Sequence, residues 1–267
     1  MKTFSSFLSG SFSLPLTNCG VRGRNSSGVS SHSQSPDKRY WRNPLPAENN
    51  LDAIAYGKGT FVAVGDAGII LTSSDGKTWA LQTSGTKANL NGVAYYNSTF
   101  AAVGDTGTIL SSPDGKTWTV QSSGTTHSLN GVTYGNGVFV AVGGNGIILT
   151  SSDGKNWTFR SSGTNANLTG VTYGNGTFVA VGGFFFHIGI AHVILSSRDG
   201  KAWTTQSLKD NSYLYGVTYG NGTFMAMGNL GSLLTSSDGK AWTVPSAGTN
   251  AYVNRMSYGN GTFITVG

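Results

Sequence analysis

The chain has 267 residues, 38% of them hydrophobic, with 40 glycines, 10% charged residues and a formal net charge of +6. A lone cysteine excludes an internal disulfide or a cysteine-based zinc cluster, no run approaches the ~20 apolar residues needed to span a bilayer, and no long segment carries the i, i+3, i+4, i+7 apolar spacing of a helix. The positive charge argues against nucleic acid once it is located: residues 1–45 hold six basic groups against Asp37, the other 222 residues hold eleven basic and ten acidic groups, and nucleic-acid binding needs a concentrated basic face.

Residues 1–30 read as an export signal or lipoprotein leader followed by a flexible tether. Lys2 precedes Phe4, Phe7, Leu8, Phe12, Leu14 and Leu16, with serines between them. Leu16-Thr17-Asn18-Cys19-Gly20 resembles a bacterial lipobox, which makes Cys19 a candidate lipidation site, although Asn18 departs from the small residue usual before the cysteine. The Ser- and Gly-rich stretch that follows suits a tether. These features place the chain outside the bacterial cytoplasm, in the periplasm, anchored at the outer membrane or extracellular. The alternative is an ordinary disordered leader with an incidental thiol.

Residues 31–267 are organised by one phrase, Ser-x-Asp-Gly-Lys-x-Trp. It occurs at Ser73–Trp79, Ser112–Trp118, Ser151–Trp157, Ser197–Trp203 and Ser236–Trp242, with a worn copy at Ser35–Trp41. The six tryptophans (Trp41, Trp79, Trp118, Trp157, Trp203, Trp242) all close it, at intervals of 38, 39, 39, 46 and 39 residues. Between copies four short runs recur. In the third they are Leu129–Tyr134, Val138–Val142, Gly146–Thr150 and Trp157–Arg160, each β-branched or aromatic and bounded by Gly, Asn, Ser or Asp. Asn136-Gly137 supplies a tight hairpin, Gly143–Gly146 a second reversal, and the phrase itself a third. Four antiparallel strands per ~40 residues predict a β-propeller blade.

First strands begin near Leu51, Leu90, Leu129, Leu168, Leu214 and Val253, which predicts six four-stranded blades. The last copy supplies two strands, Asn254–Tyr258 and Thr262–Val266. The worn phrase near the start would add the other two, closing the ring with strands from both termini. Ser31-His32-Ser33 stands where the third copy has Ile147-Ile148-Leu149, so the seal is either partial or the chain is a piece of a longer array. Each tryptophan is expected to bury its ring between neighbouring blades.

The phrase resembles the Asp-box of the bacterial neuraminidase repeat, with one residue fewer between Asp and Trp. Together with Asn-Gly-Thr-Phe-Val-Ala-Val-Gly it looks closer to the repeats of bacterial secreted and lipoprotein propellers related to the photosystem II assembly-factor type. The resemblance implies that Asp37, Asp75, Asp114, Asp153, Asp199 and Asp238 shape turns on the face away from the ligand and are not catalytic. A sialidase-like site resembling the family's would need three converging arginines. Outside the first 45 residues only Arg160, Arg198 and Arg255 occur, and Arg255 alone falls on an inner strand.

A glycosidase needs two carboxylates flanking a bond. The weak candidates are Asp66 and Asp105, which share the second-turn slot of adjacent blades, and each also reads as a turn former in Asp-x-Gly. The clearest break in the repeat is the seven extra residues within Phe184–His192, which lengthen the second hairpin of the fourth blade on the face opposite the Asp-boxes. Exposed apolar tips mark contact sites, and a lid folded into the channel mouth is the alternative. His187, His192 and His127 lack an acidic or cysteine partner for a metal. No cofactor is expected. The function expected is non-catalytic binding of a protein or glycan partner by a monomer, through Phe184, Phe185, Phe186, His187 and Ile188, with Tyr215 and Arg255 nearer the channel. A degenerate glycan hydrolase and a structural surface repeat are the alternatives.

Overall fold

In the computed structural model, which describes residues 49–186, 189–206, 212–245 and 255–266, the β-branched and aromatic runs become antiparallel strands joined by the Gly- and Asn-containing turns. The first sheet comprises β1 (Leu51–Gly57), β2 (Thr60–Gly65), β3 (Ile70–Ser73) and β4 (Ala80–Gln82). The second comprises β5 (Leu90–Tyr96), β6 (Thr99–Gly104), β7 (Ile109–Ser112) and β8 (Thr119–Gln121). The third comprises β9 (Leu129–Gly135), β10 (Val138–Gly143), β11 (Ile148–Ser151) and β12 (Thr158–Arg160). The fourth comprises β13 (Asn167–Gly174), β14 (Thr177–Phe186), β15 (Gly189–Ser197) and β16 (Thr204–Gln206). β17 (Leu214–Gly220), β18 (Thr223–Gly228) and β19 (Leu233–Ser236) form a three-stranded fifth sheet, and β20 (Arg255–Gly259) pairs with β21 (Thr262–Val266).

Strands pair in chain order within each sheet, and the innermost strands pack in the series β1, β5, β9, β13, β17, β20. This is the blade arrangement of a β-propeller. No helix among the described residues is long and apolar enough to cross a membrane. Cys19, Asp37, Trp41, His187 and Ile188, with the whole of residues 1–30, lie outside the described residues.

Period-two alternation sends one row of each blade toward its neighbour. In the second blade the row runs Val93, Ala102, Leu110, Val120 across four paired strands. Its first three members join Val62, Val64 and Ile70 of the first blade in one core cluster. Equivalent clusters lie between the second and third, third and fourth, and fourth and fifth blades. The core is therefore a set of repeated inter-blade layers.

Two expectations are corrected. The five described tryptophans pack on the core clusters, as expected, but most of them are not enclosed there. Trp79, Trp118, Trp157 and Trp203 stay half-buried, and Trp242 alone of the described five is buried, at 8% exposure. The fully buried aromatics are Phe100, Phe139, Phe178 and Phe224, each beside a tyrosine of its own inner strand at 4.5–4.9 Å between ring centres. A strand's interior position encloses a ring on both sides, whereas the Trp slot opens the short outer strand.

The fifth blade also lacks a full fourth strand, keeping a single bridge between Thr235 and Thr243. Pro245 is the physical reason. The equivalent Gln82, Gln121, Arg160 and Gln206 each pair in the ladder and donate a side-chain hydrogen bond to a hydroxyl of the third strand. Proline has no N–H to give the ladder and no side-chain donor.

Candidate functional site

The hairpins split into two rims. One carries the Asp-Gly-Lys turns and the Asn-Gly hairpins between first and second strands. The other carries the turns between second and third strands and the loops linking blades.

On the first rim each aspartate serves its own turn. At Asp153, Oδ1 accepts from the backbone amides of Lys155 and Asn156, both at 2.8 Å, and from the Ser151 hydroxyl at 2.9 Å, while the Gly154 amide donates to Ser151 Oγ. The same bonds recur at Asp75, Asp114, Asp199 and Asp238. Backbone donors favour the ionised carboxylate, holding Asp75 down at about 2 and Asp114, Asp153, Asp199 and Asp238 below the usual carboxylate range. These oxygens are occupied within the turn, which fits a turn-forming role.

The indole N–H of Trp118, Trp157 and Trp203 donates back to the glycine carbonyl of its own turn. That of Trp242 is buried without a hydrogen-bond partner among the described residues. Adjacent blades are stitched on this rim by Asn136 Nδ2 donating to the Arg198 carbonyl and Asn175 Nδ2 to the Ser237 carbonyl. Tyr96 stands where other inner strands end in glycine. It stacks on Tyr134 at 3.5 Å and 12°, and burial with the Tyr96 hydroxyl pushes the Tyr134 phenol up to about 12.

On the opposite rim Asp66 and Asp105 sit in one-turn 3-10 segments, followed by Ala67 and Thr106 at φ 53° and 54°. Their carboxylates face asparagines of their own blades. Asn50 Nδ2 donates to Asp66 Oδ2 at 2.9 Å, Asn89 Nδ2 to Asp105 Oδ2 at 3.1 Å, and Asn91 Nδ2 to Asp105 Oδ1 at 3.0 Å. This geometry braces the rim and supplies no argument for a pair of carboxylates astride a glycosidic bond.

The fourth and fifth blades depart from that pattern. β14 and β15 continue as a regular ladder beyond Gly183↔His192, through Phe184↔Ala191 and Phe185↔Ile190 to Phe186↔Gly189. Phe184 packs half-buried on the core cluster between the third and fourth blades. His192 is half-buried, its Nδ1 without a hydrogen-bond partner among the described residues. At the base, Gly183 pairs with Asn167, so no aspartate faces that asparagine. Its amide instead donates to the Tyr213 hydroxyl at 2.7 Å, while its Oδ1 accepts from Asn130 Nδ2 at 2.9 Å.

A polar relay therefore crosses three blades, Asn130 to Asn167 to Tyr213. Tyr213 is 3% exposed, and burial raises its phenol above the usual value. Its ring lies 5.4 Å from Tyr215, which is half-buried on the inner strand β17. Tyr215 occupies the slot at which Asn91, Asn130 and Thr169 bond the next blade's backbone at Leu129, Leu168 and Leu214. Arg255 opens β20, paired with Val266.

The structure thus joins Phe184 and Tyr215 into one region through Asn167 and Tyr213, two residues the sequence reading passed over. The signal lay in the slot before each first strand, where Asn50, Asn89, Ser128, Asn167 and Tyr213 align against Asp66, Asp105, Gly144, Gly183 and Asn229. Among the described residues no group of three or more His, Cys, Asp or Glu side chains is placed to hold a metal ion.

No protein-family model matches the chain, and no curated protein matches it. Solved structures do. YCF48 bound to D1 peptide aligns with TM-score 0.62 and 18% identity over 80% of this chain and 73% of the other. YCF48 from Cyanidioschyzon merolae aligns with TM-score 0.55 and 16% identity over 83% and 94%. The WD40 β-propeller domain of Doa1 aligns with TM-score 0.62 and 15% identity over 82% and 75%. At these identities the likeness is one of fold, and the chain shares the β-propeller fold with all three.

Proposed function

We propose that this is a non-catalytic, exported propeller of the Asp-box type that binds a protein partner through the rim opposite the Asp-Gly-Lys turns. The observation that carries the reading is the β14–β15 ladder, extended past Gly183↔His192 on the rim where the repeat's own bracing pair is missing. The ladder brings Phe184 to Phe186 beyond the blade, next to a region where half-buried Tyr215, set against the buried Tyr213, offers aromatic surface with a polar tip, a combination suited to peptide contact. A solved propeller of the same fold with a bound peptide supports the class of ligand. Export rests on the leader ending at Cys19, and mass spectrometry of the mature N-terminus tests it.

Replacing residues 184–192 by a two-residue Asn-Gly turn, and separately Tyr215→Ala, tests the binding reading on arrays of extended peptides and of glycans. Peptide capture by the wild type that both variants lose supports it. Capture confined to glycans, or unchanged in both variants, overturns it.

A further inference from the structure

Two faces of the blade series are open where their counterparts are closed. On the first blade Leu51 is 38% exposed and Ile54 54%, while Leu90, Leu129, Leu168 and Leu214 in the first slot are at 0% and Val93 in the second at 8%. On the other side, Ile264 of β21 is 51% exposed, and Met225 and Leu233 of the fifth blade are half-buried. Their counterparts Val179 and Ile194 are at 0%. The two missing outer strands of the sixth sheet account for Met225 and Leu233, and the open seam beyond accounts for Ile264, Leu51 and Ile54, since the counterparts of Ile264, Val62 and Val179, pack against the following blade.

We infer that residues 34–41 of this same chain dock beside β21 as the third strand and turn of the sixth blade, against Met225 and Leu233. Residues 1–48 precede β1 directly, so the segment reaches this seam without crossing the stack. Ser35-Pro36-Asp37 reproduces the Ser-x-Asp acceptors of the turn, with proline already tolerated at that slot in Ser112-Pro113-Asp114.

The turn's glycine is the obstacle, and the fifth blade answers it. In the Asp-Gly-Lys turns this glycine has positive φ, 74° at Gly239, and a Cβ there would lie 2.6 Å from Val179 Cγ2 of the preceding blade. The worn phrase has Lys38 at that slot. The preceding blade's residue facing it is Met225, where others have Val62, Ala101, Val140 or Val179. Methionine is unbranched at Cβ and shifts to admit a neighbour that valine would block. Met227 and Met256 replace valines or isoleucine at the same junction, so all three internal methionines of the chain fall there. The Lys38 and Met225 exchanges read as one paired accommodation.

The register follows from the fifth blade, where Met225 pairs with Thr235. One repeat on, Ile264 should pair with Gln34. In the full chain carrying Cys19→Ser, Gln34→Cys and Ile264→Cys, mild oxidation should close an intramolecular disulfide, read by mass spectrometry. No disulfide, or one between two copies, overturns the docking. Lys38→Gly should raise the thermal midpoint by about 2 °C by relieving a non-glycine residue of positive φ, and an unchanged midpoint overturns the turn geometry.

Discussion

The two rims of this propeller use the same repeat in opposite ways. On the Asp-Gly-Lys rim five aspartates accept the same two backbone amides at 2.8–3.0 Å, and five serines donate to them. On the opposite rim one slot pair is Asn50–Asp66 in the first blade and Asn89–Asp105 in the second. In the fourth it is Asn167 opposite Gly183, and in the fifth Tyr213 with Asn229, whose Oδ1 accepts the Tyr213 amide at 2.7 Å. The aspartate's bonds stay within its own turn and can be copied from blade to blade, while the preceding blade reaches the turn at a backbone carbonyl, that of Arg198 or Ser237. An intact brace already reaches the adjacent blade, since Asn89 Oδ1 accepts the Ala67 amide at 2.9 Å, and where the aspartate is gone Asn167 turns its amide to the next blade as well. The rim where the pairs have been exchanged is therefore the one whose cross-blade contacts differ from blade to blade.

The sharpest way to break the comparison is to remove what both rims stand on. Phe178 is fully buried, 4.6 Å from Tyr173 and 6.4 Å from Trp203 between ring centres. Phe178→Ala should cost ~3–5 kcal/mol, transfer and cavity combined, measured by chemical denaturation. Trp157→Ala, at a half-buried ring, should cost clearly less. Equal losses would reinstate the tryptophans as the enclosed residues.

On the Asp-Gly-Lys rim, Asp153→Ala removes the acceptor of two amides and one hydroxyl in an exposed turn. The expected loss is about 1 kcal/mol, as for a deleted helix cap. The pH dependence has a definite sign. These aspartates are more acidic when folded, so their stabilisation is complete above the ordinary value of 3.8 and is lost as pH falls toward about 2, the value for Asp75. Denaturation between pH 4 and 2 should therefore be steeper in the wild type than in Asp153→Ala. Parallel curves would mean that the turns do not titrate with folding.

Much of the architecture was legible because each of its signals is local and repeated. Asn-Gly pairs, the Ser-x-Asp-Gly-Lys-x-Trp turn and alternating β-branched runs each specify one hairpin or strand from adjacent residues. What escaped was non-local. The enclosure of Phe178 over Trp203 depends on how far inside a blade each slot lies. The loss of the fifth blade's fourth strand follows from Pro245, a single residue in a ladder position whose partner lies twelve residues back, as Gln82 pairs with Ile70. Asn167 and Tyr213 are 46 residues apart, and their contact depends on Gly183 standing opposite Asn167 in place of an aspartate.

That contact gives the next test. Tyr213→Phe keeps the ring against Tyr215 and removes the hydroxyl that accepts from Asn167 Nδ2. The expected loss is about 1 kcal/mol, and in hydrogen exchange the base of the β14–β15 ladder should open more readily than the Asp-Gly-Lys turns. Uniform exchange over both rims would show that the relay braces nothing in particular.

The smallest effect is expected at Asp66, where the two rims' aspartates are most easily confused. The carboxylate accepts from Asn50 Nδ2 at an exposed site, and the slot takes Gly144 in the third blade and Asn229 in the fifth without loss of the 3-10 turn. In Asp66→Asn, Oδ1 can still accept from Asn50, so stability should change by less than about 0.5 kcal/mol. The same variant separates a brace from a catalytic acid. If Asp66 and Asp105 worked as a pair on a glycosidic bond, any turnover of chromogenic glycosides would fall by orders of magnitude in Asp66→Asn, because neither proton donation nor nucleophilic attack survives the amide. A brace predicts no change in that assay. Asn50 would then serve as the control, since Asn50→Ala strips the brace without touching the carboxylate and should reproduce whatever small stability change Asp66→Asn shows.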